Sequence, residues 1–154
     1  MVEIKFEQFV LAQNPVIEPA KADLANGKIR SRWLEFIFPQ LAGWQRDLNG
    51  QCPALQSLHE ARLYADHPVL GERLRLCTRL VVDFKGRGVA DAIDQRDASK
   101  LQSSMTLFAL AASEEPLFEA VLKKNFAGKA DLRTLELLWE REGTQPPLWL
   151  SAKV

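Results

Sequence analysis

The segment from Trp33 to Gln40, WLEFIFPQ, constrains this chain more than any other stretch. It sets large apolar side chains on both sides of a single carboxylate, Glu35, and stops at Pro39. Apolar surface of that size is costly to hydrate, so the segment must be buried around most of its circumference. Pro39 disfavours helical geometry at the residue before it, and Ser31 to Phe38 therefore reads as a short helix. Strand alternation would put Trp33, Glu35 and Ile37 on one face, a poor amphipathic pattern. Arg32 and Glu35 share the one polar side of that helix. Their spacing predicts a surface salt bridge. Alternatively, desolvation beside Trp33 or Phe36 would fit Glu35 for general acid–base work. Gln40, just past the break, is either a helix-end tether or an amide presented to a ligand.

Punctuation divides the rest into short helices. The first covers about Glu3 to Gln13. Pro19 sits in the first turn of a second, which reaches Asn26 with Gly27 as its stop. Leu41 to Pro53 reads as loop. Ser57 and Glu60 form a capping-box signature opening a helix to Ala65. Asp66 or His67 caps the next, with Pro68 at its first position, and this helix runs to Phe84. A helical turn at Val89 to Ile93 precedes a longer helix from about Asp97 to Ala112. Ser113 and Pro116 open another that ends at Gly128, and Asp131 caps the last, which ends at Gly143. The expectation is an all-α single domain over residues 1–143, seven or eight short helices around a central one at about 97–112. A tail over 144–154, with Pro146, Pro147 and Trp149, follows as an extended or docked segment.

Composition narrows the partners. Apolar residues make up 47% of the 154, enough for one contiguous core, and 20 basic residues balance 20 acidic ones. That balance lacks the basic excess of a protein that neutralises many phosphates, so nucleic acid is not expected as a main partner. No apolar run approaches the roughly 18 residues that span a bilayer, and no membrane partner is expected. The N-terminal MVEIKFEQ has no signal-peptide pattern. Cys52 and Cys77 share no metal-ligand spacing, and the two histidines suit no zinc arrangement. There is no glycine-rich phosphate loop and no G-x-S-x-G elbow. The reading is a soluble cytoplasmic protein with no metal and no cofactor; its oligomeric state is not set by these features.

Three side-chain patterns could hold chemistry. On the helix from Val69 to Phe84, Arg73 falls near the middle of an arc formed by Val69, Leu70, Leu74, Leu76, Cys77, Leu80, Val81 and Phe84. An unpaired buried guanidinium costs several kcal/mol, so Arg73 needs a partner. Either it ties to a carboxylate or loop carbonyls within the chain, or its fork forms the floor of a pocket for a carboxylate or phosphate. The helix from Asp97 to Ala112 is apolar on two sides, through Leu101, Met105 and Phe108 and through Leu107 and Ala111, which predicts a sandwiched position. Its second face begins with Lys100, Ser103 and Ser104. Lys100 either pairs with Asp97 at i−3 or joins the serines and first-turn amides around an anion. His67, before a proline at a helix start, reads as a cap or packing residue and, less simply, as a ligand contact.

Three stretches, WLEFIFPQLAG from Trp33, SLHEARLYADHPVLGERL from Ser57 and KLQSSMTLFALAA from Lys100, in this order and spacing resemble the bacterial family known as domain of unknown function 1810. Some proteins of that family carry a "calpastatin" label. The resemblance, from about Phe6 to Leu138, implies a small all-α fold and brings no accepted activity or catalytic residue. Arg32 stands where the family commonly has His, and Glu35 where it has a second aromatic. The short-helix layout and the Ser57-Leu58-His59-Glu60-Ala61 opening are also similar to those of NADAR-type N-glycosidases, an analogy at the level of fold.

Together these observations predict a site for a small anionic or nucleotide-like metabolite, lined by Arg32, Trp33, Gln40, His67, Arg73, Lys100, Ser103 and Ser104. Hydrolysis, if the site adds it to binding, would fall to Glu35 or another acidic residue. The alternative is a non-catalytic interaction or regulatory module presenting Trp149 from its tail.

Overall fold

The computed structural model describes residues 2–45, 53–84, 88–89, 93–144 and 151–152. Among these, the chain order is α1 (Val2–Gln13), α2 (Ile17–Ala25), α3 (Ser31–Ile37), α4 (Leu58–Asp66), α5 (Leu70–Val82), α6 (Gln95–Ala111), α7 (Pro116–Asn125), β1 (Lys129–Ala130), α8 (Leu132–Glu142) and β2 (Ser151–Ala152). The all-α expectation holds. The two short strands add a parallel ladder that the sequence did not suggest, Lys129 opposite Ser151 and Ala130 opposite Ala152. Gln145 to Leu150, with Trp149, lie outside the described residues, as do Cys52 and most of the expected turn between Val89 and Ile93.

Helix ends follow local chemistry. Phe38 leaves helical geometry at φ −118° and ψ 82°, as the proline after it requires. The chain then crosses to the far end of the next loop, where Leu55 donates to the Gln40 carbonyl at 3.0 Å and accepts from the Ala42 amide at 2.7 Å. The Ser57 hydroxyl accepts from the Glu60 amide at 3.0 Å. Glu60 reaches back one residue further than a capping box requires, to the Gln56 amide, and its same oxygen takes the Lys5 ammonium at 2.5 Å. Helix α5 begins at Leu70 with Val69 at its N-cap, two residues beyond the Pro68 expected in its first position, and His67 serves the amides ahead of it. Its Nδ1 accepts from the amides of Val69 at 3.1 Å and Leu70 at 3.2 Å. Its ring stands edge-on to Phe6.

Asp94 caps α6 by accepting from the Asp97 amide at 2.9 Å. The helix therefore starts at Gln95, two residues before the expected Asp97, which moves Lys100 out of the first turn. Asp131 caps α8 by accepting from the Thr134 amide at 2.9 Å, and also takes the Thr134 hydroxyl at 2.7 Å and the Trp44 indole N–H at 2.7 Å. At the other end Gly143 adopts φ 66°, the left-handed C-terminal stop that lacks a steric penalty only for glycine.

Helix α6 is the centre. Every residue from Leu101 to Ala109 is buried, and the helix packs on α3, α4, α7 and α8. The two-sided apolar pattern read from the sequence is thus explained by neighbours on all sides. Aromatic rings run through the core, with Phe9 on Tyr64 at 5.1 Å, Tyr64 on Phe108 at 5.5 Å and Phe108 on Phe118 at 5.6 Å between centroids. Burial pushes the Tyr64 phenol up, and its oxygen accepts from Gln13 Nε2 at 2.8 Å. Cys77 is a buried free thiol, pushed up to about 12 by desolvation, as befits an inert core cysteine.

Between α4 and α5 the backbones nearly touch. A Cβ at Gly71 would overlap the Ala65 carbonyl oxygen, which also accepts from Arg75 Nη1 at 2.6 Å. Arg73, two residues on, extends to α1. Its fork donates to the Val10 carbonyl at 3.4 Å, Gln13 Oε1 at 3.3 Å and Asn14 Oδ1 at 2.8 Å. Of the two readings of this arginine, the geometry is that of an internal tie. Its partners are carbonyl and amide oxygens at the end of α1.

Two outcomes follow. Asp131→Ala removes the α8 cap and leaves the Trp44 and Thr134 donors without their acceptor; urea unfolding is expected to show a loss of about 2 kcal/mol. Arg73→Met frees the end of α1, and is expected to lower stability by about 1 kcal/mol while the native far-UV circular dichroism stays unchanged.

Candidate functional site

Helices α3 and α6 lie side by side and run in the same direction, because their polar residues meet in order. At the first step Ser31 donates its hydroxyl to Asp97 Oδ2. One turn later Glu35 Oε1 takes the Lys100 ammonium at 2.7 Å. Ser31 and Glu35 are i and i+4 on α3; Asp97, Lys100 and Ser104 are i, i+3 and i+7 on α6. Each set therefore forms a single polar stripe, and the two stripes face one another. The pair expected along α3, between Arg32 and Glu35, gives way to this cross-helix pair, and Arg32 stands exposed. Asp97 is the more distant partner of Lys100, at 3.7 Å.

The stripe continues past the end of α3 through Gln45. Its Nε2 donates both to Glu35 Oε1 at 2.7 Å and to Gln40 Oε1 at 2.6 Å. Gln40 is thereby held against the same carboxylate that Lys100 pairs with. Its own Nε2 is buried and has no hydrogen-bond partner among the described residues, and the same is true of Ser104 Oγ.

At the opposite end, beside the start of α6, a cleft of about 500 Å³ is lined by Ile29, Arg30, Ser31, Arg32, Ile93, Asp94 and Asp97. Its two arginines are unlike. Arg30 pairs with Asp23 at 3.1 Å. Arg32 has no hydrogen bond or ion pair among the described residues. Asp23 also accepts the Trp33 indole N–H at 2.9 Å, and that bond, followed by Arg30 and Arg32, holds its carboxyl below the usual range. Asp97 is only 5% exposed, and its Oδ1 lies beyond hydrogen-bond length from Lys100.

The remaining residues singled out from the sequence do other work. Trp33 is fully buried and its indole N–H is taken by Asp23. Ser103 Oγ is 2.8 Å from Thr134 Oγ1, in the network that caps α8. His67 and Arg73 hold helix ends, with no hydrogen bond to α3 or α6. The structure thus joins Glu35, Gln40 and Lys100 in one network through Gln45, sets Arg32 on the cleft, leaves Ser104 without a hydrogen-bond partner among the described residues, and places Trp33, His67, Arg73 and Ser103 elsewhere. Sequence reading missed Ser31, Gln45 and Asp97 as members. The signal for Ser31 and Asp97 was there, as polar residues one helical turn from Glu35 and Lys100 on otherwise apolar faces. Gln45 lies in the loop after Pro39, and no periodicity marks it. Among the described residues no cluster of His, Cys, Asp and Glu could hold a metal ion, and no helix is long and apolar enough to cross a membrane.

The comparisons with known proteins agree with this architecture. A crystal structure of the conserved hypothetical protein Rv1873 from Mycobacterium tuberculosis is 39% identical, with a TM-score of 0.79, and the match covers 86% of this chain and 95% of that one. No curated protein matches. The model of the protein family of unknown function DUF1810 matches residues 3–138, and the chain belongs to that family.

Proposed function

We propose that the protein binds a small anionic, nucleotide-like metabolite in the cleft at the start of α6. The observation that carries this reading is a cation without a partner set over a buried carboxylate. Arg32, unpaired among the described residues, lines the same cleft as Asp97, whose Oδ1 keeps acceptor capacity. A guanidinium fork suits a phosphate or carboxylate. A carboxylate below it suits hydroxyl or N–H donors, as on a sugar. The mixed signs disfavour a ligand that is anionic throughout, because Asp94 and Asp97 would repel it. The cleft, about 500 Å³ and open to solvent, has room for a small molecule.

In this reading Lys100 belongs to the wall of the site. Its ammonium is neutralised by Glu35, so it orders the wall of the site and adds little net charge. The same pairing, with Gln45, makes Glu35 a positioning group within the seam. The reading is accordingly one of binding.

Ribose 5-phosphate and uridine 5′-monophosphate are suitable probes, since both join an anion to sugar hydroxyls. Either is expected to raise the melting temperature when present well above its dissociation constant. Arg32→Ala, at an exposed position, should leave the melting temperature of the free protein unchanged and weaken binding of both about tenfold by calorimetry, close to 1.4 kcal/mol. Absence of any shift or heat with either probe at about 10 mM would overturn the reading.

A further inference from the structure

We propose that a cavity between the ends of α2 and α5 is a second binding site, and that it takes an alkylammonium ion. The inference is independent of the cleft at the start of α6 and rests on other residues.

The cavity, about 360 Å³, is lined by residues 24–27 at the end of α2 and by Leu80, Asp83 and Phe84 at the end of α5. The two helices pack on one another and both reach it with their C-terminal ends, so they run in the same direction. Both macrodipoles therefore present their negative ends there. The donors at this corner are spent. The Asn26 amide bonds the Ala22 and Asp23 carbonyls, and the Gly27 amide bonds that of Leu24. On the other helix the Asp83 amide bonds the Arg79 carbonyl and the Phe84 amide that of Val81. The Asn26 side-chain nitrogen donates to the Ala22 carbonyl at 2.9 Å. The polar groups that remain are acceptors. They are Asn26 Oδ1 and the Asp83 carboxylate, which has no hydrogen bond or ion pair among the described residues. The other walls are mainly hydrocarbon, from Leu24, Leu80 and Phe84.

A cavity that offers acceptors and apolar wall selects a donor on an apolar stem. An anion would meet Asp83 and two negative helix ends with no donor to receive it. A hard metal ion takes about six to eight oxygens, more than one carboxylate and one amide supply. An ammonium needs only a few acceptors on one side and leaves its alkyl chain to the leucines and Phe84. The same helix end already receives one ammonium: Lys124 Nζ donates to the Val82 and Phe84 carbonyls, which flank Asp83. Lys124 offsets part of the α5 dipole, so the attraction rests chiefly on Asp83 and on α2, whose last turn carries no basic residue. Arg79 and Lys28 are exposed, line no part of the cavity and form no ion pair with Asp83 among the described residues.

The test is an amide NMR titration with n-butylammonium, set against n-butanol and butyrate, which keep the chain and change the charge. Butylammonium is expected to shift the amides of residues 24–27 and 80–84 with saturation, at a dissociation constant of about 5 mM, and the other two to bind at least about fivefold more weakly. Asp83→Asn, at an exposed position, should leave the melting temperature unchanged, weaken butylammonium about fivefold and leave butanol as it was. Leu80→Ala should remove the advantage of butylammonium over methylammonium. Equal binding of butanol, or an Asp83→Asn variant that binds butylammonium like wild type, would overturn the inference. So would shifts confined to the cleft at Arg32 and Asp97, or no saturation by about 50 mM. None of these outcomes bears on the reading of that cleft.

Discussion

Helix α6 is buried along most of its length and yet carries hydroxyl, amide and charged side chains. That conflict organises the protein, because a polar atom removed from water must be matched by its neighbours. Gln102 donates to the Lys129 carbonyl at 3.0 Å, and Thr106 Oγ1 accepts from the Asp131 amide at 2.8 Å. Ser103 meets Thr134. These bonds fix β1 and the start of α8 against the middle of α6. On other faces Leu101, Met105, Phe108 and Ala112 meet the apolar surfaces of the surrounding helices. The central helix thus acts through two different forces. Apolar area supplies most of the free energy, and directional bonds decide the register in which α8 and β1 arrive.

The same conflict is settled incompletely on the side facing α3. There the contacts are ionic at Lys100 and Glu35, hydroxyl-to-carboxylate at Ser31 and Asp97, and lacking among the described residues at Gln40 and Ser104. A seam meant only for stability gains little from a half-buried ion pair, since desolvation offsets the attraction. A seam meant to receive a polar molecule gains from it, because the pair keeps directional groups in place without filling the site with hydrocarbon. The proposed binding reading rests on Arg32, which has no hydrogen bond or ion pair among the described residues, and on the mixed charge of the cleft.

Local signals were legible and distant pairings were not. Pro39 ended α3, Asp131 and Gly143 bounded α8, and Ser57 opened α4, because each acts within one turn of itself. The start of α6 was read two residues late because Asp97 and Asp94 are equally good capping residues, and only the hydrogen bond chooses between them. Arg73 was visible as an anomaly on an apolar arc, but its partners on α1 lie some 60 residues away and leave no trace in its own helix. Glu35 was paired with the wrong cation for the same reason. Spacing along α3 brings Arg32 near, and nothing in the spacing tells that Lys100 arrives from α6. The family match covers residues 3–138, and the placement of individual side chains came from the coordinates alone.

Gly71 shows how much of this arrangement depends on empty space. With no side chain on that residue, α5 begins in backbone contact with the last turn of α4, and the angle between the two helices is set by main-chain atoms rather than by compressible side chains. Leu74, Cys77 and Val81 point into the core from α5, and Arg73 reaches α1 from it. The hinge at residue 71 is therefore a fixed corner from which both the apolar and the polar attachments of α5 are measured. Widening it by the volume of one methyl group would swing a lever of about three turns, and the displacement would be greatest at the far end, where Val82 and Phe84 offer their carbonyls to Lys124.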